Sequence, residues 1–272
     1  QLPYVFSNNP NIGGRYSALS LVGMIPAALI GVQIDKLLQN AAVVAGQEKA
    51  DFFSGKGDST GLLLGAALGT LAQYHRDKLT LILPPDWKSF GDWLEQLIAE
   101  SLGKEGRGIL PVLNELQMDT SAYGQDRVFV IFYRDGDDRN SWITQLATAG
   151  HPILKIRIND DYDLGGQMFL WEMATAVAGH IMGVNPFDQP DVEATKKHTT
   201  RMITEYRKTR VWPKAQPSLA GADGEVYGET SGKTIPKALS NFLAQSAANA
   251  YVTIQVYLSP SPHIDDALGQ LR

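Results

Sequence analysis

Four short runs, LTLILP (79–84), GILPVL (108–113), RVFVIFY (127–133) and ILKIRI (153–158), are apolar without the strict alternation of a half-solvated strand. Runs of this kind read as strands buried on both faces. Helical-period segments lie between them, from about Trp87 to Ser101 and near Trp142 to Thr148. Strands alternating with helices demand a parallel sheet, because a parallel pair needs a long crossover and the crossover helices must cover both sheet faces. The sequence therefore predicts an open α/β sandwich.

The flanks are predominantly helical. From Ser17 to about Phe52 apolar residues recur at helical spacing, interrupted by Pro26, which predicts one broken helix or two abutting helices. The loop SGKGDSTG (54–61) follows, with Asp58 or Ser59 placed to cap a helix running to about His75. Residues 165–183 and 191–209 both read as helices, and 210–232, rich in Pro, Gly, Ala and Ser, as a linker or surface loop. A helix from Pro236 to Ala247, a strand YVTIQVYL (251–258) and a short helix from Ile264 close the chain. No internal repeat or low-complexity tract is present.

Composition narrows the function classes. The 272 residues are 44% apolar and 19% charged, enough for one large domain or two small ones with a sizeable core. A net charge of -5 argues against a surface that attracts nucleic acid or anionic lipid, so an anionic ligand needs a local positive cluster. Zero cysteines exclude disulfides, thiol nucleophiles and cysteine zinc sites, and agree with a cytoplasmic location. The apolar stretches Leu21–Ile34 and Leu62–Leu71 fall short of the roughly 20 residues that span a bilayer. Residue 1 is Gln and the start has no signal-peptide pattern, so the chain reads as part of something longer.

Three stretches carry residues with chemical potential. In NIGGRYSALS (11–20) a lone arginine follows two glycines: Gly13 and Gly14 allow unusual torsions and close ligand approach, and Arg15 offers a rigid donor fork for oxyanions. From these residues alone a loop arginine that merely caps a neighbouring helix is the better explanation. In LEQLIAESLGKEGRG (94–108), Gln96 and Glu100 share a helix face, and Glu100 lies near a helix C-terminus, where the macrodipole disfavours a negative charge. In GHIMGVNPFDQPDVEATKK (179–197), Asp188 reads as an N-cap and Pro190 as a first-turn residue, while Gln189 and Lys196 are two helical turns apart. A solvated lysine paired with a nearby acid explains Lys196 as well.

Taken together, the strings resemble phosphoglucose isomerase. GGRYSALSLVGMIPAAL is similar to one signature of that family over more than fifteen positions, and FDQPDVEATK to a second, with Asp191 where a small residue is usual. Between them Gln96, Glu100, Ser101, Gly103 and Lys104 fit the setting of the family's base. NPNIGGRYSALS, MFLWEMATAVAG and NPFDQPDVEATKK look most like the isomerase half of bifunctional transaldolase/phosphoglucose isomerases.

The resemblance implies a sugar isomerase (SIS) type three-layer α/β/α sandwich with a C-terminal helical arm. It divides the chain into the tail of a first subdomain (1–74), a second sandwich (75–190) and the arm (191–272). It implies interconversion of glucose 6-phosphate and fructose 6-phosphate through an enediolate, with Glu100 as base, Arg15 holding the developing charge and Lys196 assisting ring opening. Gln96, Gln189 and Gly14 would bind the sugar phosphate. No metal and no cofactor are implied, and His75, His151, His180, His198 and His263 form no HxH or HExxH pair. A homodimer, and a covalently fused transaldolase domain, are the implied partners, with no nucleic acid and no membrane.

Two departures stand out. Met168 occupies the position of the family's ring-opening histidine, and the family's Ser/Thr-rich phosphate loop falls upstream of GGRYS, outside these residues. GETSGKT (228–234) imitates the end of a P-loop, but the required first glycine falls at Tyr227 and no preceding strand is expected. Other readings are a non-catalytic sugar-phosphate-binding module and a scaffold for a fused transaldolase; neither needs the Arg15, Glu100 and Lys196 triplet.

Overall fold

A computed structural model of the chain describes residues 4–136, 139–212, 215–222, 224–247 and 250–271. It forms two compact units, one ending at Lys196 and one beginning at Lys197. The first is built on four parallel strands, β1 (Lys78–Ile82), β2 (Leu110–Val112), β3 (Arg127–Tyr133) and β4 (Ile153–Arg157), in the order β2-β1-β3-β4. Leu79 lies opposite Pro111 on one side and Val128 on the other. The β3 run shows why polarity does not alternate. Val128, Val130 and Phe132 enter the larger core, whereas Phe129 and Ile131 enter a second core with Tyr123, Trp142 and Leu146. Successive strand residues face opposite ways, and both faces are dry.

The helices of this unit are α1 (Leu21–Leu29), α2 (Ile34–Ser54), α3 (Thr60–Gln73), α4 (Lys88–Leu102), α5 (Asn140–Thr148) and α6 (Asp163–Met182), with α2 packed on α6 and α1 against α2. Leu64 and Leu68 of α3, Leu94, Leu97 and Ile98 of α4 and Trp171 of α6 fill the larger core, and α5 lines the second. The sandwich is thus three layers, as expected. The four-residue spacing of Gly61, Gly65 and Gly69 gives α3 a flat face without side chains. A side chain at Gly65 would come within 2.4 Å of the Ala174 carbonyl of α6, and one at Gly69 within 3.1 Å of Ala178.

Two helix ends share one kind of stop, and the second of them sets up the site. The break expected at Pro26 occurs later, because Pro26 lies inside α1 and the stop comes from Gly31 at φ +92. Gly31 N–H donates to Ala28 O and Val32 N–H to Ala27 O, the paired bonds that close a helix on a left-handed residue. Gly183 (φ +72) ends α6 the same way, with Gly183 N–H on His180 O and Val184 N–H on Gly179 O. Val184 is buried in the larger core, which fixes the direction of the following segment, Asn185–Asp188.

The helix α7 (Pro190–Thr209) spans the division between units. The second unit also holds the antiparallel hairpin β5 (Leu219–Gly221) and β6 (Gly224–Val226), then α8 (Ile235–Ala244) and α9 (Pro262–Leu271). The expected linker at 210–232 therefore contains a hairpin, although residues 213–214 and 223 of it lie outside the described residues. Residues 251–258 form no strand, since an apolar β-prone run becomes a strand only where a sheet edge receives it. A strand does precede GETSGKT, but it is β6 of the hairpin, and Thr234 caps α8 by accepting from Lys237 N–H at 3.4 Å.

Candidate active site

Arg15 sits in a 3₁₀ turn, Gly14–Tyr16, and is only 6% exposed. Neither preceding glycine uses a torsion closed to other residues: Gly13 is extended at φ -68, and a side chain at Gly13 or Gly14 would meet nothing within 4 Å. The open backbone there is consistent with ligand approach, and strain has no part in it. Arg15 Nη2 donates to the carbonyls of Pro186 at 3.2 Å and Asp188 at 3.0 Å. Its Nη1 lies 2.9 Å from Glu100 Oε1. That contact is an ion pair without aligned hydrogen-bond geometry, and Arg15 Nε is buried with no hydrogen-bond partner among the described residues. Two of the guanidinium's nitrogens thus retain donor capacity beside the carboxylate.

Glu100 lies in the last turn of α4, whose apolar face, Leu94, Leu97, Ile98 and Leu102, is locked in the core. The half-buried carboxylate receives a 3.4 Å hydrogen bond from Gln96 Nε2, one turn earlier, on its second oxygen. Ser101 is fully buried, and the Tyr16 hydroxyl reaches both Ser101 Oγ at 3.3 Å and Pro186 O at 3.4 Å. Burial pushes the Tyr16 hydroxyl up, opposed by the Ser101 bond and by Arg15.

The structure brings Arg15, Glu100 and Gln96 together and places Gly14 beside them in the chain. It does not bring Lys196 to the pair. Lys196 Nζ is 3.1 Å from Glu193 Oε1 on α7, with its side chain 64% exposed. Gln189, half-buried, occupies the N-cap position of α7: its carbonyl accepts from Glu193 N–H at 3.2 Å. Asp188, expected to be that cap, instead turns its carboxylate to Lys104 Nζ at 2.9 Å. A buried ammonium needs a counter-charge, and this requirement outweighs a capping bond. Among the described residues no group of three or more His, Asp or Glu is arranged to hold a metal ion.

Lys104 is legible in the sequence only as part of the setting of the base, with no contact of its own, and Glu172 is not singled out there at all. Glu172 on α6 has Oε1 buried without a hydrogen-bond partner among the described residues, and burial pushes its carboxyl up to about 7. Its charge is felt at Tyr16. An acid whose native pKa exceeds its unfolded value, here 4.5, holds more protons when folded between those two values, so stability falls as pH rises from 4.5 towards 7. Glu172→Gln is neutral at every pH. Its melting temperature is expected to match the parent's near about pH 4.5 and to exceed it increasingly up to about pH 8. Thermal melts across that range check this, and a difference that does not vary with pH would refute it.

No protein-family model matches the chain. Curated relatives do. The glucose-6-phosphate isomerase of Clostridium tetani is 30% identical over 235 residues, 71% of this chain and 51% of the enzyme. That of Lactobacillus helveticus is 29% identical over 230 residues, 69% of this chain and 50% of the enzyme. The chain is similar to glucose-6-phosphate isomerases. It spans about half the length of the curated relatives it matches. Among solved structures, a glucose-6-phosphate isomerase from Chlamydia trachomatis superposes with a TM-score of 0.56 at 18% identity, over 75% of this chain and 49% of that one. A hypothetical protein from Thermus thermophilus gives 0.56 at 24% identity, over 73% of this chain and 57% of that one. These two likenesses establish the fold, a parallel α/β sandwich shared with a glucose-6-phosphate isomerase.

Proposed function

We propose that the protein containing this chain is an aldose–ketose isomerase that interconverts glucose 6-phosphate and fructose 6-phosphate. The observation that carries this reading is the Arg15–Glu100 pair at 2.9 Å, with the arginine fixed by two backbone carbonyls. Isomerisation removes a proton from carbon beside a carbonyl, which needs a placed base and stabilisation of the enediolate oxygen. Glu100 takes the proton from C2 and returns it to C1. Arg15, permanently charged, receives the developing oxyanion through donors its backbone bonds leave over. Gln96 and Gln189 orient the sugar, Gly14 lets it approach the main chain, and Lys196, exchanging Glu193 for the sugar, assists ring opening. With Met168 at the position of the usual histidine, ring opening rests on such a group.

The reading extends to a homodimer, a cytoplasmic location and a fused transaldolase domain of the bifunctional type. It assigns no phosphate-binding residues within these 272. Among the described residues no helix is long and apolar enough to cross a membrane.

The test is isotopic, on the full-length polypeptide. Glucose 6-phosphate deuterated at C2 should yield fructose 6-phosphate with part of the label at C1 and part lost to solvent, as expected when a single carboxylate carries the proton. Any loss of label to solvent excludes a direct hydride shift between C2 and C1, and absence of product would exclude the isomerase.

A further inference from the structure

Lys104 is the least expected cation in the fold, 7% exposed and just beyond the C-terminus of α4. An ammonium has three protons to place. Here they meet three acceptors: Ser101 O at 2.9 Å, Asn185 O in a short bond, and Asp188 Oδ1 at 2.9 Å. Its backbone is pinned as well. Lys104 N–H donates to Arg107 O at 2.9 Å and Arg107 N–H to Lys104 O at 2.9 Å, around Glu105 and Gly106, both at positive φ. This tight turn carries a second cation, since Arg107 Nη1 donates to Met182 O at 2.5 Å, on the last residue of α6. The turn therefore fastens the end of α4 to the end of α6, where free carbonyls and the helix dipole favour positive charge.

Asp188 is the other half of the device. Its carboxylate takes Lys104, and its main-chain carbonyl takes Arg15 Nη2 at 3.0 Å. The contacts close a ring: Glu100 on α4, the α4 C-terminus, Lys104, Asp188, Arg15, and back to Glu100 at 2.9 Å. We infer that Lys104 and Asp188 are positioning residues that set the distance between Arg15 and Glu100 by anchoring the segment Asn185–Asp188 to the end of α4. The inference rests on the isomerase reading of that pair. A shift of about 1 Å between groups that must act together costs on the order of 100-fold in rate. Neither residue touches the reacting atoms, and both act only through Arg15.

The experiment uses the full-length polypeptide and glucose 6-phosphate. Lys104→Met keeps the length of the side chain and removes the charge. Asp188→Asn, at a residue whose side chain is half exposed, keeps the carbonyl that holds Arg15 and carries less risk to folding. Each is expected to lower kcat, about 10- to 100-fold for Lys104→Met and several-fold for Asp188→Asn, with KM changed by less than about threefold. Each is then made in an Arg15→Met background. If both act by placing Arg15, neither lowers kcat further there. An equal fall in both backgrounds would overturn the inference, as would parent kcat in folded Asp188→Asn and Lys104→Met variants. Glu100→Gln run in parallel separates the levels. Loss of activity in it alongside unaffected positioning variants defeats only this inference, whereas full activity in it defeats the site reading itself.

Discussion

Glu100→Gln is expected to lower kcat for glucose 6-phosphate isomerisation by about 10³- to 10⁴-fold in the full-length polypeptide, with little change in substrate binding. The replacement is nearly isosteric. The amide oxygen takes the position of Oε1, 2.9 Å from Arg15 Nη1, and the apolar face of α4 is untouched, so the fold should hold. What disappears is the lone pair that takes the C2 proton, since an amide is not a base at neutral pH. The size of the effect follows from that loss, because general-base removal at a carbon acid has no ready substitute when water is held away. Steady-state rates, with a melting curve to show matched folding, decide the matter. A fall smaller than about tenfold would assign the proton transfer to another group, and the elevated carboxyl of Glu172 would be the next to replace.

The largest stability effect is expected far from the chemistry, at Gly65. A β-carbon there would lie 2.4 Å from the Ala174 carbonyl and 2.7 Å from Val177 Cβ, both on α6. These are backbone and branched neighbours that cannot swing aside, so α3 and α6 must move apart. At Gly61 and Gly69, four residues to either side, a β-carbon would likewise come to 3.0 Å from α6, at Met173 and Ile181, so the whole face is closely approached and the separation propagates along the helix. Gly65→Val should cost about 3 kcal/mol, the upper range for overpacking a tight interface, partly offset by the better helix propensity of a non-glycine residue. Denaturant unfolding reads it as a lower midpoint at unchanged slope. A cost below about 1 kcal/mol would show that the two helices are not held at this distance in solution. Because α6 also carries Glu172 and ends in the Gly183 turn that launches Asn185–Asp188, the substitution should disturb the Arg15–Glu100 pair as well as the core.

The architecture was legible wherever a local pattern had one physical explanation. The unbroken apolar run 127–133 means two dry sheet faces, and β3 divides its residues between two cores. A cap at Asp58 or Ser59 follows from their position before an apolar helix, and Ser59 takes it, accepting from Leu62 N–H. The pattern misled where the explanation lay elsewhere in space. Pro26 is a helix breaker by local chemistry, yet it lies inside α1 and Gly31 makes the stop. YVTIQVYL has the composition of a strand and forms none, because strand formation depends on a receptive edge.

The site divides along the same line. By itself the sequence determined the spacing that puts Gln96 beneath Glu100, the helix terminus that carries them, and the arginine after two glycines, because each depends on contacts a few residues long. Only the tertiary structure decided that Arg15 meets Glu100 and that Asp188 gives up its capping position for Lys104. Those outcomes rest on how buried charges find partners across the fold. A desolvated ammonium or guanidinium must be neutralised by whichever acceptors the packed helices bring within about 3 Å, and no local pattern specifies which those are.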